Sequence, residues 1–113
     1  EGVLGGRITL QKFVELTATH PARAYGLHPR KGTIAIGADA DLVVWGEGER
    51  VLRNADLHHA VDYTPYEGMT LQAWPALTLV GGDVVWDGQR FHPRTGAGRF
   101  LRSGAPTLMP RPR

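Results

Sequence analysis

The chain has 113 residues, enough for one small domain with a modest core, and 13 basic against 11 acidic residues leave a formal net charge of +2. The pI of about 9.4 owes much to arginines near the C-terminus, and no basic stripe interleaved with aromatics accompanies them, which argues against a nucleic-acid surface. The absence of cysteine excludes disulfides, thiolate catalysis and cysteine-ligated metal sites and fits a cytoplasmic protein.

The first residue is Glu1, and residues 1–7 lack the charged and apolar regions of a signal peptide. No apolar run approaches the ~20 residues that a membrane span needs. The expectation is a soluble piece of a longer protein. Thr9 is a plausible N-cap for a first helix, in which Leu10, Phe13, Val14 and Thr17 recur at helical spacing and Leu16 widens the apolar face. That helix is predicted to end near Ala18, because the residue before Pro21 is pushed out of the α region. A second, short helix follows, with His20 as N-cap, Pro21 at the first position and Gly26 as the left-handed residue that stops it.

Residues 32–45 read as two short strands hinged at Gly37. Ile34 and Ile36 alternate with small or polar neighbours, as in a half-buried strand, whereas residues 42–45 form an apolar run whose two faces should both be covered. The polar stretch 46–49 reads as a connection and residues 50–53 as another short strand. Residues 54–68 have turn chemistry. Residues 69–74 alternate as a strand that Pro75 stops, and Gly81-Gly82 between two β-forming runs marks a tight hairpin. From Phe91 the pattern dissolves into a tail rich in Pro, Gly and Arg, expected to be disordered alone and ordered only against a partner. The order is helix, helix, then five to seven short strands. The apolar face of the first helix wants a partner that the chain does not supply.

No catalytic centre emerges from these residues. Five histidines invite a metal, but there is no His-x-His, no His-Glu-x-x-His and no phosphate loop. His58 and His59 are adjacent and would point to opposite faces of a strand. Asp39 and Asp41 are expected to accept backbone N–H bonds at a corner rather than to act as a catalytic pair. Ser103, the only serine, lies in the tail. Pairs such as Asp62-Tyr63 and Tyr66-Glu67 read as local hydrogen bonds. The tryptophans Trp45, Trp74 and Trp86 read as core or interface residues.

Two stretches resemble a known family. Gly32-x-Ile34-Ala35-x-Gly37-Ala38-Asp39-Ala40-Asp41-Leu42-Val43-Val44-Trp45 resembles the segment where amidohydrolase-superfamily chains leave their metal-bearing barrel for a small β-sandwich. Thr17-x-Thr19-His20-Pro21-Ala22-x-x-Tyr25-Gly26-Leu27 resembles the helix pair before it. More narrowly, His58-His59-x-x-Asp62-Tyr63-Thr64-Pro65-Tyr66-Glu67-Gly68-Met69, Gly81-Gly82-Asp83-Val84-Val85-Trp86 and Gly96-x-Gly98-Arg99-Phe100-Leu101 resemble the C-terminal part of dihydropyrimidinases and D-hydantoinases. His20 stands where relatives often have Asn, and Gly46 where an Asp commonly ends the strand.

The resemblance implies an α+β fragment. Residues 1–31 would be the last helices of a (β/α)8 barrel, 32–91 the C-terminal strands of a small β-sandwich domain, and 92–113 an extended tail. It implies a parent enzyme that hydrolyses the ring amide of 5,6-dihydropyrimidines or 5-substituted hydantoins. Two divalent metals, usually zinc, bridged by a carbamylated lysine and a hydroxide, would lower the pKa of water and polarise the carbonyl. All of the family's ligands and substrate-orienting residues would precede Glu1, so no catalytic, cofactor-binding or metal residue carries over onto this sequence. Implied partners are the upstream part of the same polypeptide and further copies of it in a homotetramer reached through the tail, with no nucleic acid and no membrane. Two other readings stand beside this one: a non-catalytic interaction protein like the collapsin response mediators, and an allantoinase or dihydroorotase relative.

Overall fold

Thr9 caps the first helix as its sequence suggests: its backbone is extended and its side chain accepts the Lys12 N–H at 3.1 Å. The computed structural model describes residues 2–107. In it α1 (Leu10–Val14) passes into a π-helical turn (Glu15–Thr19) and then into α2 (His20–Ala24).

The predicted break before Pro21 does not occur. Thr19 and His20 both keep right-handed helical backbone angles, so His20 is a helical residue and not an N-cap. An α-helix would press the Pro21 ring against the carbonyl four residues back; the turn just ahead is instead π-helical, wider by one residue per hydrogen bond, with the His20 N–H reaching the Glu15 carbonyl. The stop at Gly26 is as expected. Gly26 has φ +65, the Leu27 N–H bonds the Ala22 carbonyl at 2.7 Å, and the Gly26 N–H bonds the Arg23 carbonyl at 3.2 Å. This crossed pair is a Schellman cap.

Residues 33–36 form no strand, and Ile34 and Ile36 are 87% and 109% exposed. A strand needs a neighbour for its N–H and C=O groups, and no described segment lies alongside to provide one. Residues 2–41, together with the tail from 94, form one compact unit, and residues 42–93 form another.

The second unit is a three-stranded antiparallel sheet in the order β1 (Leu42–Val51), β2 (Thr70–Val80), β3 (Asp83–Trp86). Here too two expected boundaries disappear. The polar stretch 46–49 is part of β1, which pairs with β2 as far as Val51↔Thr70, with a register shift between Glu47 and Arg50 absorbing the glycine-rich segment. Pro75 does not end its strand. It pairs with Trp45 where the register shifts between Val44 and Trp45, so the missing N–H falls at a bulge. The Gly81-Gly82 hairpin is as read from sequence, with φ of 59 and 89 and Val80 opposite Asp83, the geometry of a type I′ turn.

The apolar run 42–45 is not covered on both faces, since Val43, Val44 and Trp45 are all exposed. On the helices Leu10, Val14 and Leu16 are exposed as well, and Ala22, 5% exposed, is the one buried hydrophobic residue among those described. The tail also departs from expectation. Over its described part it is tied to the end of α2 by hydrogen bonds from Gly104 N to Gly26 O at 2.8 Å and from Thr107 N to Arg23 O at 3.0 Å. The part of the predicted tail from 108 to 113 lies outside the described residues.

Candidate functional site

The titratable side chains are dispersed over local pairings. In the helical unit Glu15 meets Lys12 Nζ at 2.8 Å and His20 Nε2 at 2.7 Å. The hydrogen bond from Lys12 holds the Glu15 carboxyl below its ordinary range. Asp39 and Asp41, expected to accept corner N–H bonds, are engaged by two cations. Asp39 Oδ2 accepts from Arg30 Nε at 2.9 Å and lies 3.0 Å from Lys31 Nζ, and Lys31 Nζ also donates to Asp41 Oδ2. The Lys31 ammonium, then the Arg30 guanidinium, lowers the Asp39 pKa, and Asp41 followed by Asp39 raises that of Lys31. These carboxylates are tied to cations of the 28–32 turn.

In the sheet unit the closest approach to a base and its orienting carboxylate is His92 Nε2 at 2.8 Å from Asp87 Oδ2. Asp87 also accepts the Gln89 N–H at 2.9 Å and the Arg90 N–H at 2.7 Å, which closes the 87–92 turn. His92 first, then the Arg90 and Gln89 amides, holds the Asp87 carboxyl far below its ordinary value. Two hollows adjoin the turn. The larger, about 480 Å³, is flanked by Glu47, Arg50, Trp74 and Asp87, with the Arg50 guanidinium 4.6 Å from the Trp74 ring centroid. The smaller, about 220 Å³, is aromatic: His58 lies edge-on to Trp86 and Phe91 at 5.2 and 5.3 Å.

The adjacent His58 and His59 have separate occupations. His59 Nε2 lies 2.9 Å from Asn54 Oδ1, while His58 turns to the aromatic rings. Glu67 accepts the Asn54 N–H at 2.6 Å, fixing the long 54–68 connection to the strand end. Trp86 donates from Nε1 to the Pro75 carbonyl at 2.9 Å. Ser103 belongs to the other unit. Among the described residues no three His, Asp or Glu side chains converge as metal ligands would, so the donors present do not fit the two-metal centre that the family resemblance implies.

The sequence reading missed two arrangements. Arg50 over Trp74 arises because Arg50 pairs with Leu71 while Gly46 pairs with Trp74, a register set by two bulges that no local pattern announces. The pairing of Asp39 and Asp41 with Arg30 and Lys31 carried a visible signal, two cations and two anions flanking a glycine-bounded segment.

The chain is thus a helical segment and a three-stranded antiparallel sheet whose titratable side chains are taken up in local pairings. Comparison with known proteins places it. Residues 5–85 match the Amidohydrolase family, and the chain belongs to that family. It is 44% identical over 103 residues to a D-hydantoinase of Ralstonia pickettii, covering 90% of this chain and 22% of that protein. It is 47% identical over 88 residues to a D-hydantoinase of Rhizobium radiobacter, covering 77% of this chain and 19% of that one. The crystal structure of a dihydropyrimidinase from Brevibacillus agri superposes with a TM-score of 0.85 at 39% identity, over 90% of this chain and 23% of that one. The chain therefore spans about a fifth of the length of these relatives. Among the described residues no helix is long and apolar enough to cross a membrane.

Proposed function

We propose that this chain is the C-terminal part of a cyclic amidohydrolase of the hydantoinase and dihydropyrimidinase type. The whole enzyme would add one water across a ring amide C–N bond of a 5,6-dihydropyrimidine or a 5-substituted hydantoin. The observation that carries the reading is the 44% identity to a D-hydantoinase over 90% of the chain. The 0.85 TM-score to a dihydropyrimidinase supports it. In this reading the segment is architectural. The helices α1 and α2 close a (β/α)8 barrel, residues 32–91 complete a β-sandwich, and the two zinc ions with their carbamylated lysine belong to residues outside this chain. The same reading assigns the enzyme to the cytoplasm and to a homotetramer reached through the C-terminal tail.

The test is a ring-opening assay on dihydrouracil, a 5-substituted hydantoin, allantoin and dihydroorotate, run on the full-length polypeptide and on residues 1–113 alone. The full-length protein should open dihydrouracil or the hydantoin and contain stoichiometric metal, and the 113-residue chain should do neither. Opening of only allantoin or dihydroorotate, or of none of the four, overturns the assignment. Stoichiometric zinc in the short chain overturns the placement of the metal.

A further inference from the structure

The described tail returns to the end of α2 and meets it through two backbone hydrogen bonds. The Gly104 N–H bonds the Gly26 carbonyl at 2.8 Å, and the Thr107 N–H bonds the Arg23 carbonyl at 3.0 Å. Arg23 O already accepts the Gly26 N–H of the helix cap, so the tail supplies a second donor to a carbonyl of the last helical turn. The approach is close because residue 26 is glycine, whereas a Cβ on Gly104 would meet the Gly26 carbonyl oxygen at an ordinary 3.4 Å. A Cβ on Gly26 would lie 2.1 Å from the Gly104 carbonyl oxygen and 2.7 Å from its carbon. Phe100, just ahead of the docked segment, is 92% exposed, so no side-chain anchor at that position explains the docking.

We propose that residues 101–107 are an intramolecular strap that closes on the C-terminal end of α2, and that Gly26 is its keyhole as well as the helix stop. Glycine at 26 has two separable tasks. It takes the left-handed conformation that ends the helix, and it leaves the space into which the Gly104 peptide fits. The strap adds donors where α2 presents its partly negative end. It also fixes the start of the C-terminal segment on its own protomer, so any arm reaching a neighbouring copy departs only beyond Thr107.

Native-state hydrogen exchange at the Gly104 amide in the full-length polypeptide tests this. Three variants separate the tasks. Gly26→Ala fills the keyhole. Thr107→Pro removes one donor without touching the helix. Gly37→Ala is the strain control: Gly37 also has positive φ, at +89, but nothing lies within 4 Å of its would-be Cβ. The expected result is a protected Gly104 amide in the parent. Its exchange should accelerate at least about tenfold in Gly26→Ala and severalfold in Thr107→Pro, the scale of losing one or two backbone hydrogen bonds, and should stay within about twofold of the parent in Gly37→Ala. The proposal is overturned by an unprotected Gly104 in the parent, by parent-like exchange in either strap variant, or by equal acceleration in Gly37→Ala and Gly26→Ala.

Discussion

Gly32→Ala should loosen the helical unit more than any other single methyl added to a left-handed glycine outside the strap. Gly32 has φ +76 and sits against the helix: its would-be Cβ lies 2.5 Å from Ala22 Cβ and 2.7 Å from the Ala18 carbonyl oxygen. Its own carbonyl accepts Thr19 Oγ1 at 2.9 Å. Two costs add. A non-glycine residue in the left-handed region costs ~1–2 kcal/mol, and an unaccommodated methyl in a close packing contact costs ~1–3 kcal/mol. The sum, ~2–5 kcal/mol, corresponds to a rise of roughly thirtyfold or more in the population of the open state. Gly37→Ala carries the first cost without the second, because its Cβ meets nothing within 4 Å. The assay is native-state exchange at the Leu27 amide, whose bond to the Ala22 carbonyl at 2.7 Å reports the helix end that Gly32 touches. If the two variants exchange alike at Leu27, the close approach of Gly32 to the helix is not what holds the 28–41 segment, and the reasoning fails.

Trp86→Phe keeps an aromatic ring beside His58 but deletes the donor to the Pro75 carbonyl. It should cost ~0.5–1.5 kcal/mol of sheet stability in urea titration, and a cost near zero would mean that water replaces the indole freely. Asp87 should titrate well below the ordinary carboxylate value of 3.8, because His92 and two backbone N–H groups favour its anion. Its folded pKa is depressed, so what it contributes is present above the unfolded value and is lost as pH falls through the folded one. A carboxyl ¹³C titration should therefore place its midpoint below 3.8, with His92→Asn moving it upward; a midpoint at or above 3.8 in the parent refutes the turn geometry.

Signals carried by one or two residues were legible. Thr9 as cap, Gly26 as stop and Gly81-Gly82 as hairpin each depend on a backbone preference that the residue imposes wherever it sits. The two prolines show the opposite case. Pro21 and Pro75 both read as terminators, because sequence shows the missing N–H and not how the neighbours adjust. One helix widens to a π turn and one strand pair shifts its register, and in each the element continues past the proline. The ion pairs of Asp39 and Asp41 were half legible: the charges were visible, but the fold of the 28–41 segment decides that they meet.

The exposed apolar residues carry the argument furthest. Ile34 and Ile36 have the alternation of a strand and yet form none, at 87% and 109% exposure. Hydrophobic periodicity states what a segment requires, a neighbour to bond and a face to bury, whereas structure also depends on whether that neighbour is available. The same mismatch recurs at Leu10, Val14 and Leu16 on the helices and at Val43, Val44 and Trp45 on β1. These positions share a mechanism: each is patterned for burial and finds no cover among the described residues. The family match supplies a reason, since the chain covers only 22% of a relative to which it is 44% identical. Under the proposed reading the remaining polypeptide supplies those faces. Full-length protein should then protect the amides of residues 33–36 and 42–45 that the 113-residue chain leaves to exchange. Equal exchange in the two would detach the apolar pattern from the proposed architecture.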